Sequence, residues 1–189
     1  MNAPPPMLVT DRVILRLPQP ADAPEIVDYF ERNREHLDPM DPTRPDGFHT
    51  VQFWQQRVAI YLDEFARDQS ARMIVLPADQ PQRVIGTVSL SAVQRGPLQA
   101  ANLGYGIDRA LQGRGLMHEA LRATIGYAFG PLNLHRLFAG YIPTNDRSAR
   151  VVRRLGFEVM GYCRDYLLIN GKWQDHVLTT LVNPRWQAT

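Results

Sequence analysis

Residues 102–121 read Asn-Leu-Gly-Tyr-Gly-Ile-Asp-Arg-Ala-Leu-Gln-Gly-Arg-Gly-Leu-Met-His-Glu-Ala-Leu, a strand-like run followed by a glycine-rich turn and the start of a helix. Because Gly113 and Gly115 lack Cβ atoms, backbone amides can converge on an anion at this turn. The helix that begins there adds unpaired N–H groups and the positive end of its dipole. The turn is therefore predicted to bind a phosphate or pyrophosphate, with Arg114 at its rim.

Two common phosphate-binding motifs are excluded by the residues around this turn. The sequence contains no Gly-Lys-Ser or Gly-Lys-Thr triplet, so the turn is not a P-loop. Gly104, Gly106 and Gly113 do not keep the spacing of the dinucleotide-binding fingerprint. Taken alone, a Gly-x-Gly before a helix fits a simple tight turn equally well. Residues elsewhere in the chain are needed to decide between a phosphate-binding turn and a simple tight turn.

The hydrophobic pattern on either side of the turn predicts a mixed sheet covered by helices. Asn170-Gly171, between two β-rich runs, is typical of a type I′ hairpin turn. The predicted element order is β-α-α-β-β-β-α-β-α-β-β, which places the chain in the α/β class (an α+β mixed sheet). The predicted ranges are strand 12–17, helices 21–36 and 50–68, strands 71–76, 84–93 and 102–107, helix 115–129, strand 137–142, helix 147–155, an extended segment 157–169 with an irregularity near Gly161, and strand 172–181.

Length and composition restrict the class of protein further. The 189 residues suit one domain over 9–189, after a proline-rich, flexible lead-in over residues 1–8. The formal net charge of +2 is too small to indicate a nucleic-acid partner. The single cysteine, Cys163, excludes an internal disulfide and is more typical of a strand residue than of a nucleophile. The sequence shows no signal peptide, membrane span or metal-ligand spacing, so we expect a cytoplasmic protein without a metal or membrane partner.

Two sequence blocks resemble the GNAT-type N-acetyltransferase superfamily. Residues 112–117, Gln-Gly-Arg-Gly-Leu-Met, are similar to its Gln/Arg-x-x-Gly-x-Gly/Ala signature, except that Met117 stands where a small residue is usual. Residues 141–158 resemble its Asn-x-x-Ser helix, here Asn145 and Ser148, followed by Leu-Gly-Phe. The resemblance implies the GNAT-type acyl-CoA N-acyltransferase fold, with acetyl-CoA as co-substrate.

A narrower resemblance, to ribosomal-protein-alanine N-acetyltransferases, extends over nearly the whole chain. It is carried by residues 33–39, 103–107, 113–117 and, most distinctively, 161–178. It implies acetyl transfer to the N-terminal alanine or serine α-amine of a ribosomal protein, and it places residues 33–41 beside the acceptor site. Two alternatives stay open: a small-molecule acceptor such as an amino sugar, amino acid or antibiotic, and a non-catalytic CoA-binding module. Homodimer formation is also left open.

The same resemblance assigns the cofactor-binding residues. It implies that the amides of the glycine-rich turn bind the pyrophosphate and that backbone groups of the preceding strand line the pantetheine arm. A backbone N–H of that strand is also placed to polarise the thioester carbonyl. The residues implied are Gln112, Gly113, Arg114, Gly115, Leu116 and Met117 for the pyrophosphate, Tyr105, Gly106 and Ile107 for the pantetheine arm, and Asn145 as a further contact.

One of the two catalytic residues is implied to be Ser148. It lies one helical turn after Asn145, and the resemblance makes it the acid that protonates the departing CoA sulfur. The alternative is that Asn145 or Asp146 only caps the helix, with Ser148 on its first turn.

The second catalytic role is that of the general base, which takes a proton from the amine. Many superfamily members carry a glutamate before the phosphate turn, but the matching residue here is Asn102, which cannot accept a proton. Asp165 is the candidate instead, since related enzymes place a carboxylate near this position. A two-residue turn at 170–171 would set Asp165 opposite His176, either to orient a base or water or as a surface ion pair. A bulge near Asp165 would break this register.

Overall fold

One eight-stranded sheet runs through the protein, whose computed structural model describes residues 4–188. The strand order is β1-β2-β3-β4-β5-β6-β8-β7, and every neighbouring pair is antiparallel except β5 and β6. This arrangement confirms the predicted mixed sheet. The strands are β1 Met7–Val9, β2 Val13–Arg16, β3 Ala71–Pro77, β4 Gly86–Gln94, β5 Ala100–Ile107, β6 Arg136–Tyr141, β7 Glu158–Ile169 and β8 Lys172–Val182; the helices are α1 Ala23–Arg32, α2 Arg34–Leu37, α3 Val51–Ala66, α4 Leu116–Phe129 and α5 Asp146–Arg154.

The sheet separates two hydrophobic cores, because successive side chains of a strand point to opposite faces. On β3, Met73 and Val75 belong to the core beneath α4 and α5, whereas Ile74 and Leu76 belong to the core beneath α1 and α3. We call these two sides of the sheet the α4 face and the α1 face. A strand covered on both faces carries a nearly continuous apolar run, which explains why 71–76 could be recognised as a strand without alternation.

The parallel pair β5–β6 separates after a short stretch. It is in register only over Ala100–Arg136, Ala101–Leu137 and Asn102–Phe138. Beyond this point β5 stays paired with β4, and β6 stays paired with β8. The facing edges of residues 103–107 and 139–141 therefore enclose a gap, which we call the wedge. Backbone groups along these edges are available to hydrogen-bond a bound molecule.

The N-terminal region has two elements that the sequence pattern did not predict. Strand β1 is only three residues long and lies at the outer edge of the sheet, so it carries too little pattern to be recognised. Of the lead-in predicted over residues 1–8, residues 1–3 lie outside the described part of the chain, while Met7 and Leu8 belong to β1. The helix predicted over 21–36 divides at Asn33 into α1 and the short α2.

The C-terminal hairpin confirms the predicted turn but not the predicted register. Asn170 and Gly171 both have positive φ, 44° and 76°, and Ile169 pairs with Lys172. The irregularity near Gly161 is confirmed by a register shift. The expected pairing of Asp165 with His176 is wrong: Cys163 lies opposite His176, because a bulge between Cys163 and Leu167 gives β7 additional residues.

Among residues 4–188, none of the helices has both the length and the apolar character to span a bilayer.

Candidate active site

The glycine-rich turn forms an uncapped helix N-terminus. Gly113 and Gly115 have φ values of 75° and 79°, a region that side chains with a Cβ rarely adopt. Gly115 is the N-cap of α4 and makes no side-chain capping bond. The N–H groups of the first turn of α4 therefore have no capping partner and, with the helix dipole, are available to an anion. Met117 is 7% exposed and packs into the α4-face core, which accounts for a large residue at this position.

The turn is fixed from the α1 side by a buried carboxylate and a buried amide. Asp108 accepts hydrogen bonds from Ala110 N–H at 3.0 Å and from Arg32 Nε at 2.9 Å. Burial raises the pKa of Asp108, but the hydrogen bonds from Arg32 and the backbone outweigh it and leave the pKa below its ordinary value. Asn33 accepts from Arg109 N–H at 2.9 Å and donates to Tyr29 O at 2.8 Å. The break between α1 and α2 thus positions the residues that lead into the turn.

Two hydroxyl groups meet on the α4 face of the wedge. Tyr105 Oη and Ser148 Oγ lie 2.6 Å apart, which brings β5 and α5 together at this point. Burial raises the pKa of Tyr105, although the Ser148 contact lowers it in part, so the phenol is protonated at neutral pH. Asn145 Oδ1 accepts from Ser148 N–H at 3.0 Å and caps α5, as the alternative interpretation of this residue expected. The sequence assigned Tyr105 only a backbone role and so missed this pair.

Glycines line the opposite, α1 face of the wedge. A Cβ on Gly106 would lie 3.2 Å from Tyr29 Oη and 3.5 Å from Leu37 Cδ2. A Cβ on Gly140 of β6 would lie 3.4 Å from Leu178 Cδ2 and 3.6 Å from His176 Cδ2. We call the space beside these two glycines the glycine slot. Its walls are Tyr29, Leu37, His176 and Leu178.

Tyr29 brings an unsatisfied polar group to the wall of the slot. Its hydroxyl is fully enclosed and has no hydrogen-bond partner within residues 4–188. Burial raises the pKa of Tyr29 above its ordinary value, so the hydroxyl keeps its proton. An unpaired buried hydroxyl of this kind costs about 1–3 kcal/mol of stability.

The outer rim of the slot is formed by α2, the following loop and the tip of the hairpin. Gln112 Nε2 lies 2.6 Å from His36 Nε2, and since an amide nitrogen only donates, this histidine nitrogen is unprotonated. Burial, with Arg109 and Arg147 nearby, lowers the pKa of His36. Asn170 N–H donates to Asp41 O at 3.1 Å, which joins the hairpin tip to the loop after α2.

Positive charge is concentrated along the outer side of α4. A cavity of about 590 Å³ begins at Gly115 and is lined by His118, Arg122 and Arg154, together with Asp11 and the Arg12–Glu119 ion pair. A second cavity of about 710 Å³ shares His118, Arg122 and Arg154 and continues to Arg185. Within the described chain, none of Arg122, Arg154 and Arg185 forms an ion pair with a carboxylate. We call this continuous surface the arginine groove.

Two features of the sequence could have indicated the arginine groove. His118 and Arg122 are four residues apart on one helix, so they share a face. Residues 146–154 hold four arginines in one nine-residue helix. Since α4 and α5 are distant in sequence, only the fold brings the two signals together.

The candidate base from the sequence, Asp165, is not bonded to the hydroxyl pair. Asp165 is exposed in the bulge with φ 46°, and its backbone N–H donates to Asp175 Oδ1 at 2.9 Å. Within residues 4–188 its carboxylate forms no hydrogen bond or ion pair with Ser148 or His176. Asn102 is exposed at the last paired position between β5 and β6.

The site therefore combines an anion-binding helix N-terminus, an open strand edge in the wedge, and a separate slot on the far face. This arrangement suits a long ligand with a diphosphate whose reactive end meets a second substrate from the opposite side. The class that fits is a group transferase, and the chain belongs to the acetyltransferase (GNAT) domain family, whose model matches residues 12–158. The protein is an N-acetyltransferase of this family.

One relative and two solved structures are similar to this chain over most of their length. The [Ribosomal protein uS5]-alanine N-acetyltransferase of Escherichia coli (strain K12) is 42% identical over 185 residues, which cover 98% of this chain and 95% of that enzyme. The crystal structure of a ribosomal-protein-S5-alanine acetyltransferase from Vibrio fischeri superposes with a TM-score of 0.92 at 38% identity, covering 97% of this chain and all (100%) of that one. Mycobacterium smegmatis RimJ, solved with CoA-disulfide, has the same fold at 24% identity and a TM-score of 0.86, covering 94% of this chain and 85% of that one.

Proposed function

We propose that this protein transfers the acetyl group of acetyl-CoA to the α-amine of an N-terminal alanine or serine of a ribosomal protein. The observation that carries the proposal is the wedge, which opens to the phosphate turn on one side and to the glycine slot on the other. The 42%-identical relative named for alanine acetylation of ribosomal protein uS5 supports the choice of acceptor.

The cofactor is proposed to lie with its diphosphate against the amides of residues 113–117. The pantetheine arm then adds to the open edge of β5 at Tyr105, Gly106 and Ile107, so that backbone groups hold it in place of a paired strand. The nucleotide end leaves the turn where the arginine groove begins, at Gly115. Arg122 and Arg154 thus face the 3′-phosphate of the ribose.

The transfer itself needs the two substrates to be held together, one proton to be given to the sulfur and one proton to be taken from the nitrogen. The amine nitrogen attacks the thioester carbon, the carbonyl oxygen takes the negative charge, and a β5 backbone N–H stabilises it. The C–S bond then breaks, and the sulfur takes a proton from Ser148 Oγ. Tyr105 Oη, 2.6 Å from Ser148 Oγ and protonated, replaces that proton and regains one from solvent before the next turnover. The nitrogen loses one proton to a base or water, and the products are the acetylated amine and CoA.

The glycine slot supports a small N-terminal residue as acceptor. The walls lie close to the strand backbone, since a Cβ on Gly106 or Gly140 would already meet Tyr29, Leu37 or Leu178 at 3.2–3.5 Å, so the slot disfavours a large first residue. A polycationic amine would be expected to meet several carboxylates, but the carboxylate at the rim, Asp41, already bonds Arg44 at 2.6 Å. These contacts favour a peptide amine over a polyamine.

The proposal is tested by an acceptor screen that follows free thiol release from acetyl-CoA. The panel contains matched peptides that begin with alanine, serine or leucine, an alanine peptide already acetylated at its N-terminus, spermidine and an amino sugar. We expect turnover on the alanine and serine peptides, a large loss with leucine, and none with the blocked peptide. Preferential turnover on a small amine would favour that alternative, and binding of acetyl-CoA without any turnover would favour a non-catalytic module.

Two further points are the location of the protein in the cell and its oligomeric state. Acetylation of ribosomal proteins in the relatives supports a cytoplasmic location, which fractionation of the source cells tests. Homodimer formation stays a prediction, and sedimentation equilibrium of the purified protein measures it directly.

A further inference from the structure

His176 lies on the α1 face of β8, where it borders the glycine slot. It is 5% exposed, and its Cδ2 atom is 3.6 Å from the position of a Cβ on Gly140. Its strand neighbour Val177 pairs with Tyr141, at the open end of the wedge. His176 is therefore level with the part of the wedge where β5 and β6 are apart.

Its hydrogen bonding fixes which ring nitrogen carries the proton. His176 Nδ1 lies 3.0 Å from Gln174 O, and since a carbonyl oxygen only accepts, Nδ1 is the donor. In the neutral ring, Nε2 then carries a lone pair. Within residues 4–188 no group donates to Nε2, and Nε2 is not fully enclosed, while the adjacent Cδ2 borders the slot at Gly140.

We propose that His176 Nε2 accepts the proton of the acceptor amine, an inference that rests on the function proposed above. As the amine nitrogen forms its bond to the thioester carbon, its N–H proton passes to Nε2, directly or through one water. The ring becomes an imidazolium, still held by Gln174 O, and releases the proton to solvent after the product leaves. The sulfur is protonated separately from Ser148, so the two proton transfers occur on opposite faces of the sheet.

The other titratable groups on this face are less suited to the role. His36 Nε2 is already occupied by Gln112, and Asp41 is bonded to Arg44. Asp165 is exposed in the bulge and forms no hydrogen bond or ion pair with the slot residues in the described chain.

Three titratable groups lie around the His176 ring and bear on its pH dependence. They are Asp175 beside it on β8, Cys163 opposite it on β7, and Tyr166, whose ring centroid is 5.4 Å away. Of these groups, Asp175 interacts electrostatically with the His176 ring.

The test compares His176→Asn and His176→Gln with wild type and with Asp165→Asn. The asparagine variant can keep a donor to Gln174 O but has no group at the Nε2 position, whereas glutamine places a non-basic amide there. We expect kcat/KM for the alanine peptide to fall about 10²–10³-fold in both variants. The acidic limb of the kcat/KM–pH profile is expected to flatten in both variants, while acetyl-CoA affinity by calorimetry is unchanged. Asp165→Asn tests the competing assignment of the base to that residue.

The outcomes separate the proton acceptor from the proposed function. A wild-type enzyme without turnover on any amine refutes the proposed function. Active wild type with both His176 variants within threefold refutes the role of His176, and loss only in Asp165→Asn assigns the base to that residue. Nitrogen-15 NMR of wild type in its CoA complex keeps the proposal testable even if a variant fails to fold. A neutral His176 ring protonated on Nε2 would overturn it.

Discussion

The arginine groove leads to a quantitative prediction about cofactor discrimination. Arg122 and Arg154 are exposed, unpaired with any carboxylate in the described chain, and line the cavity that begins at Gly115. A unit charge pair at 4 Å is worth about 1 kcal/mol in water, and a phosphate monoester carries roughly two charges. Exposed pairs deliver only about 0.2–1 kcal/mol each after solvent and salt screening. Together the two arginines should therefore favour CoA over 3′-dephospho-CoA by about 1–2 kcal/mol, or roughly 5–30-fold in Kd.

The assay is calorimetric titration with CoA and with 3′-dephospho-CoA, at low and at high ionic strength. Arg122→Gln and Arg154→Gln should each weaken CoA binding several-fold but leave dephospho-CoA binding unchanged, and high salt should reduce the difference. Arg153→Gln is the matched control, because Arg153 is also exposed on α5 but does not line either cavity. Equal losses for the two ligands, or an equal effect of Arg153→Gln, would refute the assignment of the groove to the 3′-phosphate.

Three other predictions concern the hydroxyl pair, the phosphate turn and its buried support. Ser148→Ala should lower kcat about 100-fold with little change in the Kd of CoA; an unchanged kcat would remove Ser148 from the acid role. Gly115→Ala should cost about 1–2 kcal/mol of folding stability at φ 79° and weaken CoA binding, measured by urea unfolding and calorimetry; a variant as stable as wild type would contradict the strain. The carboxylate of Asp108 has a lowered pKa, so it stabilises the folded protein above the unfolded-state pKa of about 3.9. This stabilisation is lost as the pH falls through the lower folded-state pKa. Asp108→Asn should thus reduce the acid dependence of urea unfolding between pH 7 and 2, and identical dependence in both proteins would count against it.

The sequence was most informative where a feature depends on neighbouring residues. The strand, turn and helix over 102–121 could be predicted because glycine spacing and hydrophobic period act locally. The hairpin turn at 170–171 was equally accessible, since both residues must adopt positive φ. The pairing further along the hairpin was not, because a bulge at Asp165 leaves no pattern in a strand exposed along most of its length. Register is poorly specified where neither face is buried.

The parts of the site that sequence reasoning missed are formed by distant segments. Tyr105 and Ser148 are 43 residues apart, and their contact joins β5 to α5 beyond the point where β5 and β6 separate. The glycine slot requires Gly106 and Gly140 to lie on the same face of two separate strands. Glycine has no side chain and adds nothing to a hydrophobic pattern. Such a slot can therefore be recognised only when the structure shows the surrounding residues, such as Tyr29.

The bond from Asn170 N–H to Asp41 O has a mechanical consequence. It fastens together two surface segments that are 129 positions apart in the chain, each of which would otherwise fluctuate on its own. We therefore expect the two segments to open together rather than separately. Deuterium uptake at the Asn170 amide would measure how often they open.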